Sequence, residues 1–264
     1  MAKVTKRVFV LVKAYPQPSN TYEETVCCAG ITEAGEFIRL YPIRFRRLPA
    51  SAHFDRFDLI EVQGERPRDD HRPESFHVDE DSIRIVSRSA ELSAESKTAL
   101  WLPHVAASLG ALRQANADSR VSLGIVKPDA GSVRFSWVPH DKLDKADADI
   151  SRSLVKQTSL IESPLKPLAP PEYSFLYTYE SAGKRSRGQI HDWEVQAAYL
   201  NYRRKYGARA LEMLRRAYQV DIPAKNLHLF LGTMKAHPTQ FIIVGVLRTS
   251  ADPDAIRAQH SLFS

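Results

Sequence analysis

Short runs rich in Val, Ile, Leu and Phe, separated by turn signals, fill the first ninety residues and read as a series of short strands. Arg7–Ala14 is rich in Val, Phe and Leu and runs into Tyr15-Pro16-Gln17-Pro18-Ser19-Asn20, a turn or loop signal. Thr25–Ile31 predicts a second strand, and Glu33-Ala34-Gly35-Glu36 a tight connection to a third, Phe37–Tyr41, which Pro42 ends. Leu59–Glu65 and Ile83–Ser87 predict a fourth and a fifth. Short strands with small turns and one longer insertion suit a small barrel, such as an OB-like one, and suit other all-β barrels equally.

The pattern changes after Leu92. Leu100, Leu102, Val105, Leu109 and Leu112 fall at helical spacing up to about Asn116, interrupted by Pro103. Strands are expected at Ser122–Lys127 and Val133–Val138, then a polar stretch ending in the proline-rich Ser163–Pro171, a linker by composition. Beyond it Tyr173–Tyr179 reads as a strand. Asp192 is placed to cap a helix over Trp193–Tyr206 that Gly207 ends, and Arg209–Tyr218 continues as a second helix. Asn226–Leu231 and Phe241–Leu247 are the last strands, and the tail from Ser250 carries little signal. The expected fold is mixed α/β of the α+β kind. It has an OB-like small barrel over 1–90, a helical segment, strand pair and connector over 91–162, and a C-terminal α+β unit over 163–264.

Composition narrows the class. Hydrophobic residues make up 43% and charged residues 26% of the chain, a globular balance that needs no metal or disulfide to build a core. The two cysteines, Cys27 and Cys28, are neighbours. Adjacent strand residues face opposite ways, so they are poorly placed to bridge each other, and no spaced Cys/His set suggests zinc. The apolar run Val8–Val12 is too short for a membrane span or a secretory signal, so the expectation is a cytoplasmic protein without a membrane partner. A net charge of +6 favours polyanionic partners, DNA or RNA first.

Four segments could carry function. In Phe37-Ile38-Arg39-Leu40-Tyr41, strand alternation sends Ile38 and Leu40 inward and groups Phe37, Arg39 and Tyr41 on the other face. Two aromatics around an arginine form a surface for stacking bases, and Arg44, Arg46 and Arg47 add positive charge. The loop Arg66–His77 holds Asp69, Asp70, His71, Arg72 and Glu74, a set that could serve acid–base or metal chemistry or simply pair with itself. His191-Asp192-Trp193-Glu194 places two acids at a helix start, where capping and the helix dipole also favour them. Phe230-Leu231-Gly232-Thr233 could cradle an anion through backbone N–H groups or be a plain hairpin arm. The chain has no G-x-S-x-G, H-E-x-x-H, G-x-G-x-x-G or P-loop pattern, and no cofactor is expected.

Lys13-Ala14-Tyr15-Pro16, Val26-Cys27-Cys28-Ala29-Gly30-Ile31, Arg39-Leu40-Tyr41-Pro42-Ile43, Arg72-Pro73-Glu74-Ser75, Asp192-Trp193-Glu194 and Phe230-Leu231-Gly232-Thr233 together resemble a family of uncharacterised bacterial proteins. The first part also loosely resembles dual OB-containing domain proteins. That likeness implies nucleic-acid binding by analogy of fold, and it supplies no catalytic residue to carry over. Where relatives are expected to place Cys and His ahead of the Asp-Trp-Glu motif, this chain has Glu180–Gly188 with no cysteine, which argues against zinc there. The expectation is therefore a non-catalytic binder of DNA or RNA. The alternatives are a metal-dependent enzyme acting on nucleic acid or nucleotides, using acids of the Asp69–Glu74 loop or Asp192 and Glu194, and a protein-interaction component of a bacterial defence or stress system.

Overall fold

The computed structural model describes residues 3–14, 17–19, 23–25, 27–140 and 171–249. The tail from Ser250 and all but the last residue of the expected Ser163–Pro171 linker lie outside them.

The expected strands of the N-terminal part are realised as β1 (Val4–Lys13), β4 (Cys28–Thr32), β5 (Phe37–Tyr41), β6 (Leu59–Glu65) and β7 (Ser75–Ser87), with the short hairpin β2 (Gln17–Ser19) and β3 (Glu23–Thr25) between the first two. The five longer strands close on themselves in the order β1-β4-β5-β7-β6. Every neighbouring pair is antiparallel except β5 and β7, which run parallel, with Leu40 opposite Phe76 and Tyr41 opposite His77. Val8, Val10, Ile38, Leu40, Ile60, Val62, Phe76 and Val78 fill the interior. These are the alternate residues of each strand, as a two-sided pleat requires.

The remainder begins with α1 (Ala94–Ala99), β8 (Val105–Ala106), α2 (Leu109–Ser119), β9 (Leu123–Val126) and β10 (Arg134–Pro139). It continues with β11 (Tyr173–Ser181), β12 (Lys184–Gln189), α3 (Trp193–Tyr206), α4 (Ala210–Arg216), β13 (His228–Met234) and β14 (His237–Leu247). Asp192 caps α3 as expected, accepting from the backbone N–H of Glu194, and Ser93 and Ser108 cap α1 and α2, accepting from those of Ser96 and Ala111. One sheet has the order β14-β13-β9-β8, and a second β10-β11-β12, so β9 and β10 hydrogen-bond to strands from beyond residue 171. The strand pair of 91–162 is thus built into the same sheets as the C-terminal strands. An isolated parallel bridge, Ile190 to Ile243, links the two sheets.

Strand alternation then sets up three layers. One face of the four-stranded sheet, with Leu123, Ile125, Phe230, Ile242 and Val244, packs on Leu11, Ala29, Ile31 and Phe37 on the outside of the barrel. The opposite face, with Leu229, Leu231 and Ile243, packs with Leu112 of α2, Val195 and Tyr199 of α3 and Leu214 of α4. Each fully buried Phe or Leu in such a seam contributes about 1.5–3 kcal/mol, so this shared apolar layer holds the sheet on the barrel. Among the described residues, no helix is long and apolar enough to cross a membrane.

Candidate functional site

The β5 strand carries the residues singled out for base stacking. Ile38 and Leu40 do point into the barrel, and Phe37, Arg39 and Tyr41 share its outer face. That face is not open to solvent as expected. The four-stranded sheet lies across it: Phe37 packs edge-on against Phe230 at 5.5 Å, and Arg39 is only 5% exposed. A strand's own pattern marks two different faces but cannot say whether a later layer covers the second one. Tyr41, at the end of the strand, keeps 42% of its surface exposed. The Arg44 Nε–H is shared between the two carboxylate oxygens of Glu80 at 3.1 and 3.2 Å, and Arg46 and Arg47 are half-buried in the 3-10 turn Phe45–Arg47. The six residues do not form one exposed platform.

Arg39 instead binds the adjoining layer. Its Nη2 donates to the carbonyl and the hydroxyl of Ser122, both at 3.3 Å, and its Nη1 lies 3.7 Å from the Cys27 sulfur. Its Nε is buried with no acceptor. A side chain on Gly232 would place its Cβ 3.3 Å from Nη2, so glycine lets the guanidinium lie close over β13.

The loop between β6 and β7 closes the same seam. Asp70 binds Arg72 and Ser75, and Arg72 in turn donates to the Thr233 carbonyl at 2.7 Å. Burial acts to raise the Asp70 carboxyl, but hydrogen bonds from Arg72 and Ser75 and the Arg72 charge outweigh it and hold the group well below the usual range. Glu74 accepts from the N–H and the hydroxyl of Ser122. Asp69 pairs with Lys235, and His71 is exposed. The acids of this loop are therefore turned to separate partners. Among the described residues, no three His, Cys, Asp or Glu side chains come together as a metal site.

A second junction gathers the Asp-Trp-Glu motif and Lys13. Asp192 is buried, bridges to Ala14, and accepts from the backbone N–H of Glu194 and Val246, both at 2.9 Å. Burial pushes its carboxyl up to about 6, against the pull of the Arg56 charge and the two backbone donors. Arg56 ties Glu194 at 2.5 Å to the Leu11 and Val246 carbonyls. Trp193 sits edge-on to Phe45 at 5.6 Å, and the Lys13 ammonium lies 4.7 Å from the Phe45 ring centroid. Asp192 and Glu194 thus cap a helix and lock it to the barrel, the structural role their position also suggested.

The motif segments converge: Arg39, Cys27, Arg72, Glu74, Gly232 and Thr233 meet at one seam, and Lys13 with Asp192-Trp193-Glu194 at another. Comparison with protein families divides the chain at this same boundary. Residues 4–103, the barrel and α1, match the model described as domain of unknown function DUF8758. Residues 105–264 match that of domain of unknown function DUF8757. The chain belongs to the DUF8757 family. A search of curated proteins found no match.

Within the DUF8757 region, α3 and α4 with the turn between them carry an excess of exposed positive charge. From Trp193 to Arg216 the chain carries six basic residues (Arg203, Arg204, Lys205, Arg209, Arg215 and Arg216) against two acids, Glu194 and Glu212. All six basic side chains are exposed. Arg203 pairs with Glu172, and Arg209 with Glu212 at 3.5 Å. The Asp192 cap of α3 was legible in the sequence. The role of Ser122 and Cys27 was not, since neither stands in a recognisable motif spacing with Arg39.

Proposed function

We propose that the protein is a non-catalytic nucleic-acid-binding protein that holds the phosphate backbone of DNA or RNA chiefly through the basic surface of α3 and α4. The observation that carries this reading is the charge there: Trp193–Arg216 accounts for four of the chain's six net positive charges, on exposed side chains. Such a surface gains affinity by releasing counterions from the phosphates it neutralises.

The barrel supports the same class. Counting its own strands alone, the order is 1-2-3-5-4 and back to 1, with the third and fifth parallel. We read this as an OB-like arrangement. OB folds bind oligonucleotides on the face of strands 2 and 3. Here that face is β4 and β5, and Ala29, Ile31 and Phe37 on it are spent on internal packing. Only its rim is left to stack a base, at Tyr41 with His77 opposite it in register.

The test is fluorescence anisotropy with short single- and double-stranded DNA and RNA across a salt series, with and without magnesium. We expect salt-dependent binding whose log–log slope on duplex DNA falls by about 0.9 for each phosphate contact removed. The variant Arg204→Ala/Lys205→Ala/Arg215→Ala/Arg216→Ala should flatten that slope while leaving the fold intact. Absence of binding to every probe at low salt, or the same slope in the variant, would overturn the reading. Magnesium-dependent cleavage of the probe would replace it with the enzymatic one.

A further inference from the structure

The Arg39 site has a chemical feature that the junction does not use. A buried guanidinium is costly to desolvate unless an anion or a full set of acceptors meets it. Among the described residues, the Arg39 side chain bonds only the Ser122 carbonyl and hydroxyl and the Cys27 sulfur, with no carboxylate. Its Nε is buried without any acceptor, and a thiol is a weak one. Cys27 is partly exposed, whereas its neighbour Cys28 is fully buried in the barrel interior. Burial drives the Cys28 thiol far up and leaves it inert.

We propose that Cys27 is a site of oxidation by hydrogen peroxide to a sulfenate, its oxygen being held by the guanidinium of Arg39. In the step, the Cys27 sulfur attacks one peroxide oxygen and the O–O bond breaks. The new S–O bond forms, and the departing hydroxide takes the thiol proton to leave as water. Sulfur gives up two electrons and peroxide accepts them, so thiol and peroxide become sulfenic acid and water. On ionisation, the oxygen provides Arg39 with the charged acceptor that it lacks, and such charge-assisted bonds are the strong ones. Cys28 lies within the barrel core, away from the half-exposed Cys27, so the pair is poorly placed to condense into a disulfide. The sulfenate persists as the product. Arg39 acts here as a positioning residue.

The test treats the reduced full-length protein with hydrogen peroxide, traps sulfenic acid with dimedone, and locates the adduct by peptide mass spectrometry. The expected result is an adduct on Cys27 and none on Cys28, formed faster in the folded protein than in urea. Arg39→Lys, which keeps the charge but not the fork, should lower the rate by about tenfold. Three outcomes would each overturn the proposal: labelling of Cys28 in preference, a folded-state rate no higher than the unfolded one, or an unchanged rate in folded Arg39→Lys. The comparison of folded with unfolded wild-type protein decides the matter even if the variant does not fold.

Discussion

Glu74, on the loop between β6 and β7 of the barrel, accepts hydrogen bonds from both the backbone N–H and the hydroxyl of Ser122, at 2.8 and 2.7 Å, across 48 positions of sequence. One carboxylate thereby satisfies the entry to β9 and fixes the sheet to the barrel. Glu74→Ala leaves the Ser122 N–H without its acceptor at a buried position, and should cost about 2–3 kcal/mol of stability. Glu74→Gln keeps one acceptor oxygen and should cost less. Urea denaturation of both variants checks the order, and equal stability of Glu74→Ala and wild type would contradict it.

Gly245 and Val12 set how closely the sheet and barrel approach. A Cβ on Gly245 would fall 2.0 Å from Cγ1 of Val12. Gly245→Ala is therefore expected to destabilise by about 1–3 kcal/mol through overpacking. Adding Val12→Ala removes the clashing methyl, so the double variant should be more stable than the two single costs sum to. A double-mutant cycle from thermal or urea unfolding reads this coupling, and simple additivity would show that the two residues do not meet as described.

Arg39 and Tyr41 should behave differently although they stand on one strand face. Arg39→Ala removes the guanidinium donor from the buried Ser122 hydroxyl, leaves the Ser122 carbonyl with the Thr233 N–H alone, and opens a void, so a loss of about 2–4 kcal/mol is expected. Tyr41→Ala, at an exposed rim position, should change stability by about 0.5 kcal/mol or less, and on the proposed function should weaken single-strand binding. Circular-dichroism melts paired with anisotropy separate the two effects.

Stability should fall on acidification for a traceable reason. Asp58 is 1% exposed; burial alone would raise its carboxyl, but backbone donors at Asp55 and Ser89 and the Arg88 side chain together hold it below its ordinary 3.8. Asp70 is held down as well. A depressed folded-state pKa contributes stability that is present above the unfolded value and lost as pH drops through the folded one. The loss is therefore expected below about pH 4. Asp58→Asn and Asp70→Asn should flatten that limb of a stability–pH curve while lowering stability at neutral pH.

Asp192 has the opposite sign. Its carboxyl is raised to about 6 in the folded protein by burial, so its protonated form favours folding and that contribution fades as pH rises from about 4 to 6. Asp192→Asn should abolish this decline. It should also lower stability overall, because an amide offers one acceptor oxygen where the Glu194 and Val246 N–H groups use both carboxylate oxygens. Urea midpoints measured at several pH values would detect either effect.

Much of the local structure was legible because local forces decide it. Phe37–Tyr41, Leu59–Glu65 and the Asp192-capped helix Trp193–Tyr206 have the bounds that alternation and capping chemistry predict. The strand Ser75–Ser87 starts well ahead of the expected Ile83, because its first half pairs with β5 on one side and β6 on the other. Lys184–Gln189 escaped notice altogether: a polar Lys-Arg-Ser-Arg-Gly-Gln stretch has no strand pattern of its own and is held extended by its ladder with β11.

What the sequence by itself determined is most of the periodic elements, the Asp192 helix cap, the inward pair Ile38 and Leu40 of β5 and the excess of positive charge. Each of these rests on interactions between residues a few positions apart or on composition alone. What only the tertiary structure decided is the fate of the second face of β5. Phe37 and Arg39 read equally well as an open stacking surface or as a seam, because exposure depends on residues such as Ser122 and Phe230 that reach them only after the chain has closed loops of more than eighty residues. Long-range burial of apolar surface made that choice, and it turned the chain's most nucleic-acid-like strand into the joint between its two parts.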